Sequence, residues 1–233
     1  MVELSFACLD AAPARYAAAP TIEFRLRISE TAGAGVGAIA LRSQLRIQPL
    51  RRRYSDAEGR RLADLFGESA RWAESMKPMQ FATVPTMVPG FAGSTEAVLE
   101  VPCSYDLEVA TGRYFHALDG GDIPLVFLFS GTIFTTGDHG MVVQQVPWHC
   151  ESEYGLPVRV WRDLMDSYFP DSGWLRLRRD TLHALGAFKS RYAVPTWDHT
   201  VAALLDKAGE AVHIDKAGEA VPLNKVGEVS SES

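Results

Sequence analysis

Apolar and charged side chains alternate without a break in the stretch Thr21–Ile28, which reads TIEFRLRI. An extended chain places alternate residues on opposite faces. The apolar face carries Ile22, Phe24, Leu26 and Ile28. The opposite face carries Glu23, Arg25 and Arg27. This pattern is typical of an antiparallel strand with one face in the core and the other in water, so it predicts a β-rich fold.

The same signals mark further strands in the first two thirds of the chain. The stretch Leu125–Phe129, LVFLF, is apolar throughout and predicts a central strand that is covered on both faces. Val36–Gln48 repeats the alternation after a glycine-rich link, so we expect it to form a hairpin with the strand before it. The predicted strands are Leu4–Leu9, Thr21–Ser29, Val36–Gln48, Phe81–Met87, Ala97–Tyr105, Ile123–Thr135 and Met141–Val146.

A short helical insertion interrupts these strands over about residues 55–76. Ser55 and Glu58 form a capping box at its start, and Gly67 ends its first helix. The chain is therefore predicted to have an α+β fold that is mainly β. We expect an antiparallel β-sandwich, immunoglobulin-like or related, with this insertion and with C-terminal helices.

The C-terminal helices are predicted over about residues 156–205. Pro157 fits the first turn of the first of these helices, where a missing N–H has little cost. Asp180 and Thr196 are positioned to cap the two helices that follow. We expect all three helices to pack on the β-sandwich.

The composition changes after Leu205. The segment reads DKAGEAVHI, DKAGEAVPL and NKVGEV, a nonapeptide repeat that begins at Asp206. Copies this short cannot stack a core of their own. We therefore expect one domain over residues 1–205 and a disordered tail over residues 206–233, with an interaction strand as the alternative for the tail.

Composition and charge limit the classes of function. The chain has 233 residues, 47% hydrophobic and 22% charged, with a formal net charge of −6. This charge argues against nucleic acid as a partner, because phosphates need a basic surface. No apolar run reaches the roughly 18–20 residues of a membrane span, and the N-terminus lacks the features of a signal peptide. Three widely spaced cysteines suit reduced thiols, so we expect a cytoplasmic protein.

Motifs for catalysis are absent from the sequence. The glycine-rich segment Gly33–Gly37 continues into a strand pattern, whereas a dinucleotide-binding loop must open a helix. Ser130 lies outside any G-x-S-x-G elbow, and we expect it to be buried in its strand. No nucleophile, acid and base can be assembled from the spacing, so we expect that the protein is not an enzyme.

Metal ligands are present but are not spaced as a recognisable site. Cys103, His149 and Cys150 are weak candidates, because no CxxC or HxxxH spacing accompanies them. We therefore expect neither a metal nor another cofactor.

Residues suited to binding a protein partner are concentrated near the C-terminus. Trp161, Tyr168 and Trp174 would serve as aromatic anchors if they were exposed. Two basic clusters could pair with carboxylates within the fold or could dock an acidic partner. These clusters are Arg51, Arg52 and Arg53, and then Arg176, Arg178 and Arg179.

Three segments resemble an uncharacterised actinobacterial family of unknown function. They are LVFLFSGTIF at Leu125–Phe134, the segment Val146–Leu185, and YAVPTWDHTVAALL at Tyr192–Leu205. The similarity runs from about Leu4 to Leu205 and assigns no catalytic residue. Members of the family are frequently encoded near nickel–iron hydrogenase structural and maturation genes, which implies an accessory or assembly role. His149 and Cys150 depart from the charged pair that the family leads us to expect after Pro-Trp.

The leading hypothesis is a non-enzymatic accessory protein that binds another protein, such as a nickel–iron hydrogenase subunit or a maturation intermediate. Binding would use a sheet edge or the helical block. The alternative is a small-molecule or metal carrier with a pocket in the β-sandwich near Cys103 and His149. The sequence leaves open whether the chain forms a homo-oligomer.

Overall fold

The computed structural model describes residues 2–103, 109–137, 140–170 and 177–209. The chain forms two compact units, Met1–Pro170 and Asp171–Ser233, which we call unit 1 and unit 2. The described part of unit 1 contains eight strands, four α-helices and two short 3-10 helices, Pro49–Arg51 and Ser69–Arg71. Its strands are β1 (Leu4–Pro13), β2 (Thr21–Glu30), β3 (Val36–Ile47), β4 (Met79–Phe91), β5 (Ser94–Pro102), β6 (Asp122–Gly137), β7 (Gly140–Gln145) and β8 (Glu151–Pro157). Its helices are α1 (Asp56–Phe66), α2 (Trp72–Ser75), α3 (Val109–His116) and α4 (Val158–Tyr168).

Two antiparallel sheets form unit 1. The smaller sheet has the strand order β1-β2-β5, and the larger has the order β4-β3-β6-β7, with β8 also paired to β6. All of these pairs are antiparallel. The fold is therefore α+β and mainly β.

Strand β6 is the centre of the larger sheet. Its residues Leu125–Phe134 pair with β3 along one side. On the other side, β8 pairs with Asp122–Leu128 and β7 pairs with Thr132–Gly137. Leu125, Val126, Phe127 and Phe129 are buried, which confirms the central strand predicted from LVFLF.

The inward faces of the two sheets share one apolar core. The four apolar residues of TIEFRLRI are all completely buried in it, as the alternation predicts. Phe6 of β1 stacks on Phe129 of β6 with ring centroids 4.2 Å apart. Phe24 of β2 meets Phe127 of β6 edge-on at 5.3 Å. Each such side chain stabilises the fold by about 1.5–3 kcal/mol through loss of water contact.

The predicted hairpin between β2 and β3 is wrong. β2 pairs with β1 and β5, whereas β3 pairs with β4 and β6, so the link between them crosses from one sheet to the other. The Glu30 carboxylate holds this crossover, because it accepts hydrogen bonds from the backbone N–H of Ala32 at 3.0 Å and of Ala34 at 2.8 Å. A local alternation cannot distinguish a crossover from a hairpin, since both place apolar residues on alternate positions.

Two elements of unit 1 are absent from the sequence-based expectations. β8 reads ESEYGLP, in which two glutamates and a glycine hide the strand pattern. α3 reads VATGRYFH and contains a glycine in its middle, yet it contributes the completely buried Tyr114 to the core. Pairing and packing with distant residues stabilise both elements, so the tertiary structure overrides their weak local propensity.

The predicted start of the helical insertion is confirmed. The Ser55 side chain accepts a hydrogen bond from the backbone N–H of Glu58, and the Glu58 side chain accepts one from the backbone N–H of Ser55. Gly67 follows the last residue of α1 with a φ of 76°, which a side chain would strain. At the other end of unit 1, α4 begins directly after Pro157 and contacts β1, β2 and β8.

Unit 2 contains α5 (Arg179–Arg191) and α6 (Trp197–Lys207), and these two helices contact each other. Thr196 caps α6 as predicted, with its hydroxyl oxygen 3.2 Å from the backbone nitrogen of His199. The predicted cap at Asp180 is wrong, because α5 begins one residue earlier and Asp180 lies inside its first turn. Helix α6 continues to Lys207, so the first two residues of the predicted tail are helical. Residues 210–233 of that tail lie outside the described residues.

Candidate functional site

The three cysteines lie in surroundings that oppose thiolate chemistry. Cys103 and Cys150 are buried and Cys8 is half-buried. Burial raises the pKa of Cys8 and of Cys103 to about 12, and it also raises the pKa of Cys150. The thiolate is the form that attacks substrates and binds metals. At neutral pH these thiols therefore stay protonated.

The structure separates the weak metal candidates. The backbone N–H of Cys103 donates to Pro20 O at the start of β2, whereas Cys150 Sγ lies 3.6 Å from Leu4 O, and Leu4 pairs with Glu30 at the end of β2. The two thiols therefore lie near opposite ends of β2, whose ten extended residues span about 30 Å. His149 is exposed, whereas the neighbouring Cys150 is buried. Within the described ranges, no three His, Cys, Asp or Glu side chains form a group that could hold a metal ion.

Ser130 is exposed, so its predicted burial is wrong. It pairs with Arg42 on β3, and both residues face outward from the larger sheet. The Ser130 hydroxyl lies 3.5 Å from Arg42 O, to which it can donate a hydrogen bond.

A buried polar cluster ties α1 to the loop before β6. The side chains of Arg52 and Glu58 are 9% and 5% exposed and form an ion pair of 2.6 Å. Arg52 also donates to Gly120 O at 2.6 Å and to Asp122 O at 2.9 Å. Glu58 accepts from the backbone N–H of Asp119 at 2.9 Å. Burial opposes ionisation of Glu58, but these donors together hold its pKa below the ordinary value.

The cluster continues into a pair of tyrosines. The hydroxyl groups of Tyr54 and Tyr114 lie 2.8 Å apart, and Tyr54 also donates to Pro49 O at 2.7 Å. Burial raises the pKa of both phenols. Arg51 forms an exposed ion pair with Glu153, so pairing within the fold is confirmed for Arg51 and Arg52. These contacts hold this part of the fold together.

The predicted aromatic anchors lie in different surroundings. Trp161 is only 4% exposed and packs edge-on against Phe115 with ring centroids 4.8 Å apart. It belongs to the core and offers no surface to a partner. Tyr168 is half-buried, and its hydroxyl donates to Ala17 O at 2.6 Å. Trp174 and Arg176 lie outside the described residues.

The remaining predicted residues, Arg178 and Arg179, begin a basic surface on unit 2. Arg178 lies 3.9 Å from Asp180, and both side chains are highly exposed, so this ion pair contributes little to stability. Residues 177–209 carry five basic and three acidic side chains, in contrast to the acidic chain as a whole. The basic residues are Arg178, Arg179, Lys189, Arg191 and Lys207, and the acidic residues are Asp180, Asp198 and Asp206.

Aromatic rings lie beside these cations. Phe188 and Tyr192 pack with ring centroids 4.6 Å apart. Lys207 Nζ lies 5.0 Å from the centre of the Phe188 ring and 4.3 Å from that of Tyr192. Lys189 Nζ lies 5.9 Å from the centre of the Trp197 ring. Such contacts orient the lysines over the ring faces.

The helices of unit 2 leave much apolar surface in contact with water. No residue of α5 is buried, and in α6 only Thr200 is buried. Roughly half of each of four apolar side chains is exposed: Leu182, Tyr192, Trp197 and Val201. We call this apolar and basic surface of α5 and α6 the hairpin surface. The sequence indicated its basic start at Arg178 and Arg179, but the expectation that the C-terminal helices pack on the β-sandwich did not point to an exposed apolar surface here.

A second apolar surface lies on unit 1, at the edge of the larger sheet. Trp148 is 93% exposed and follows β7, whose Met141, Val142 and Val143 are also exposed. Val146 donates to Gly131 O at 2.9 Å and Phe129 donates to Cys150 O at 3.1 Å, so Pro147, Trp148 and His149 project between two anchored positions. In the sequence, this surface corresponds to a tryptophan between a proline and a histidine, at the point where two strands meet. The residue pattern alone did not single out this tryptophan.

Comparison with known proteins gives a family but no activity. No curated protein matches the chain. One solved structure with some similarity is β-glucosidase 3B from Thermotoga neapolitana in complex with α-D-glucose, with 13% identity and a TM-score of 0.25. The match covers 66% of this chain and only 17% of that one, and a likeness this low supports no inference. None of the described helices is both long and apolar enough to cross a membrane. The model of a family of unknown function, DUF6084, matches residues 1–213, and the chain therefore belongs to the DUF6084 family.

Proposed function

We propose that the chain is a non-enzymatic accessory protein that binds another protein through the hairpin surface. The observation that carries this proposal is the half-exposed apolar side chains of Leu182, Tyr192, Trp197 and Val201 in a segment that carries five basic and three acidic residues. Two short helices form a stable structure chiefly by burying an apolar face. A further helix or strand from a partner would cover that face and complete its packing.

The chemistry of the hairpin surface indicates the kind of partner. Tyrosine, tryptophan and arginine are enriched among the residues that dominate protein–protein binding energy. Tyr192 and Trp197 supply the aromatic area, and Arg178 and Arg179 supply open charges at the start of α5. An acidic partner would gain faster association from these charges at low ionic strength. The proposed partner therefore has an apolar surface surrounded by acidic residues.

A nickel–iron hydrogenase subunit or a maturation intermediate is the partner that we propose. The support for it is the family resemblance, which links relatives of this chain to hydrogenase genes. An assembly role of this kind belongs in the cytoplasm, where folding subunits still expose apolar surface.

We also propose an immunoglobulin-like or related β-sandwich for unit 1. The strand orders support this architecture: in an immunoglobulin domain the first, second and fifth strands share one sheet, and the third, sixth and seventh share the other. In this chain the fourth strand pairs with the third. A crystal structure that showed the two sheets splayed apart would contradict this part of the proposal.

The test of the proposed function is affinity purification of the full chain from its own host, followed by mass spectrometry. We expect a hydrogenase subunit to co-purify in stoichiometric amount with the native protein. Trp197→Ala should lower its recovery at least tenfold, because the variant removes an aromatic anchor. Tyr16→Ala removes an exposed aromatic ring from unit 1 and is the control, so it should leave recovery unchanged.

Two results would overturn the proposal. One is equal recovery of the subunit by the native chain and by Trp197→Ala. The other is a stoichiometric metal or small molecule in the purified protein with no protein partner, as the carrier hypothesis requires. Elemental analysis of protein prepared without chelator measures the second result directly.

A further inference from the structure

The edge strands of unit 1 differ in how they oppose pairing with another chain. Edge strands of natural proteins commonly carry prolines, charges or bulges, which block such pairing. β4 has Pro85 and Pro89, and β5 has Glu96 and Glu100. β1 has a register shift between Cys8 and Asp10. Each of these three edges is therefore protected.

Strand β7 has none of these features. It reads GMVVQQ, without a charge or a proline, and its register with β6 is continuous from Gly137↔Gly140 to Thr132↔Gln145. Among the described strands it pairs with β6 alone. Met141, Val142 and Val143 expose half or more of their side chains. An edge of this composition is suited to pairing with another strand.

We propose that β7 pairs antiparallel with β7 of a second copy of the chain, so that the two larger sheets become one continuous sheet. The composition of β7 favours this edge, because GMVVQQ carries no charge and two copies of an acidic chain meet there without bringing like charges together. The outer surface of the larger sheet would also continue across this edge into the second copy. The register aligns Pro89, Ala38, Phe134 and Val143 across four strands, and the apolar row ends at the open edge.

Backbone geometry limits the possible registers. Val146 N–H donates to Gly131 O on β6. Since the direction of these groups alternates along a strand, those of Met141, Val143 and Gln145 point to the open edge. A two-fold axis at Val142 places Met141 of each copy opposite Val143 of the other. An axis at Val143 would instead place Met141 opposite Gln145, so the axis at Val142 gives the better apolar match.

The size of this contact predicts a weak dimer. A stable dimer buries about 800 Å² on each protomer. Trp148 beside the edge would contribute about 200 Å² of this, and one short strand adds only part of the remainder. We therefore expect a concentration-dependent dimer with a dissociation constant in the micromolar range.

Sedimentation velocity of the full chain over a range of concentrations tests this proposal. The native protein should change from monomer to dimer as its concentration rises to about 100 µM, a range set by the small contact. Val143→Lys should weaken the dimer at least tenfold, because it brings two ammonium groups to the shared edge. Met87→Lys is the matched control, since Met87 is equally exposed on β4 at the protected edge, and its dimer should be unchanged.

Disulfide cross-linking tests the register. Residues opposite each other without hydrogen bonds lie about 4.5 Å apart at Cα, which is within the range of a disulfide. Val142→Cys should therefore cross-link two copies on mild oxidation, whereas Val143→Cys and the native chain should not. A native protein that stays monomeric at high concentration would overturn the proposal, as would cross-linking through Val143→Cys alone. Trp197→Ala should still form the dimer, because Trp197 lies outside β7. Loss of the dimer can therefore be distinguished from loss of partner binding through the hairpin surface.

Discussion

The sheets of unit 1 and the helices of unit 2 treat their apolar residues in opposite ways. In the sheets, Ile22, Phe24, Leu26 and Ile28 of a single strand are completely buried. In α5 and α6, no apolar side chain is buried to that extent. The core-facing sides of the two sheets bury their apolar residues within the chain, whereas α5 and α6 leave several of theirs half-exposed.

The largest expected effect on the free energy of unfolding is in the core of unit 1. Phe24→Ala should lower the free energy of unfolding by about 3–5 kcal/mol, because it leaves a cavity between the two sheets. Phe188→Ala makes the same change in unit 2 and should cost no more than about 1.5 kcal/mol, because this ring is only partly covered and loses chiefly its packing on Tyr192. Urea denaturation followed by tryptophan fluorescence measures both values. Equal losses would show that unit 2 shares the core.

The buried ion pair should give the next largest effect. Glu58→Ala leaves the Arg52 guanidinium without its carboxylate and removes the acceptor of two backbone N–H groups. Loss of one partner of a buried pair costs about 3 kcal/mol. Asp64→Ala breaks the exposed pair with Arg113 and is the control, with an expected cost below about 0.5 kcal/mol. If the two variants had similar stability, the cluster would not tie α1 to the loop before β6.

A pH dependence should follow from the same carboxylate. The pKa of Glu58 is lowered in the folded protein, so its ionised form contributes stability that is present above the ordinary value of 4.5. That stability is lost as the pH falls through the lower, folded-state pKa. Thermal melts at decreasing pH should therefore show a drop below about pH 4.5. Glu58→Gln should flatten this part of the profile, and an unchanged profile would assign the drop to other groups.

The smallest effect is expected at the hairpin surface. Leu182→Ser and Val201→Ser replace half-exposed side chains, so each should change the free energy of unfolding by no more than about 0.5 kcal/mol. The same urea titration measures this change. A loss above about 2 kcal/mol would place these residues in a core and would weaken the contrast between the two units.

Several elements could be predicted from local patterns alone. The alternation in TIEFRLRI, the apolar run LVFLF and the capping box at Ser55 each specify a structure through residues that are near in sequence. β8 and α3 escaped prediction because glutamates and glycine weaken their local signals. Of the candidate binding residues, Arg178 could be predicted from its charge, whereas Trp148 and Trp197 required the exposed area of each ring.

The sequence by itself determined most of the extended stretches, the apolar face of strands such as β2, and where α1 and α6 begin, because period and caps act over a few residues. Only the tertiary structure decided that β2 and β3 belong to different sheets, that Trp161 is covered, and that β7 pairs with β6 alone among the described strands. Burial and strand pairing depend on contacts between residues that are distant in the sequence. A local pattern contains no information about which distant residues will meet.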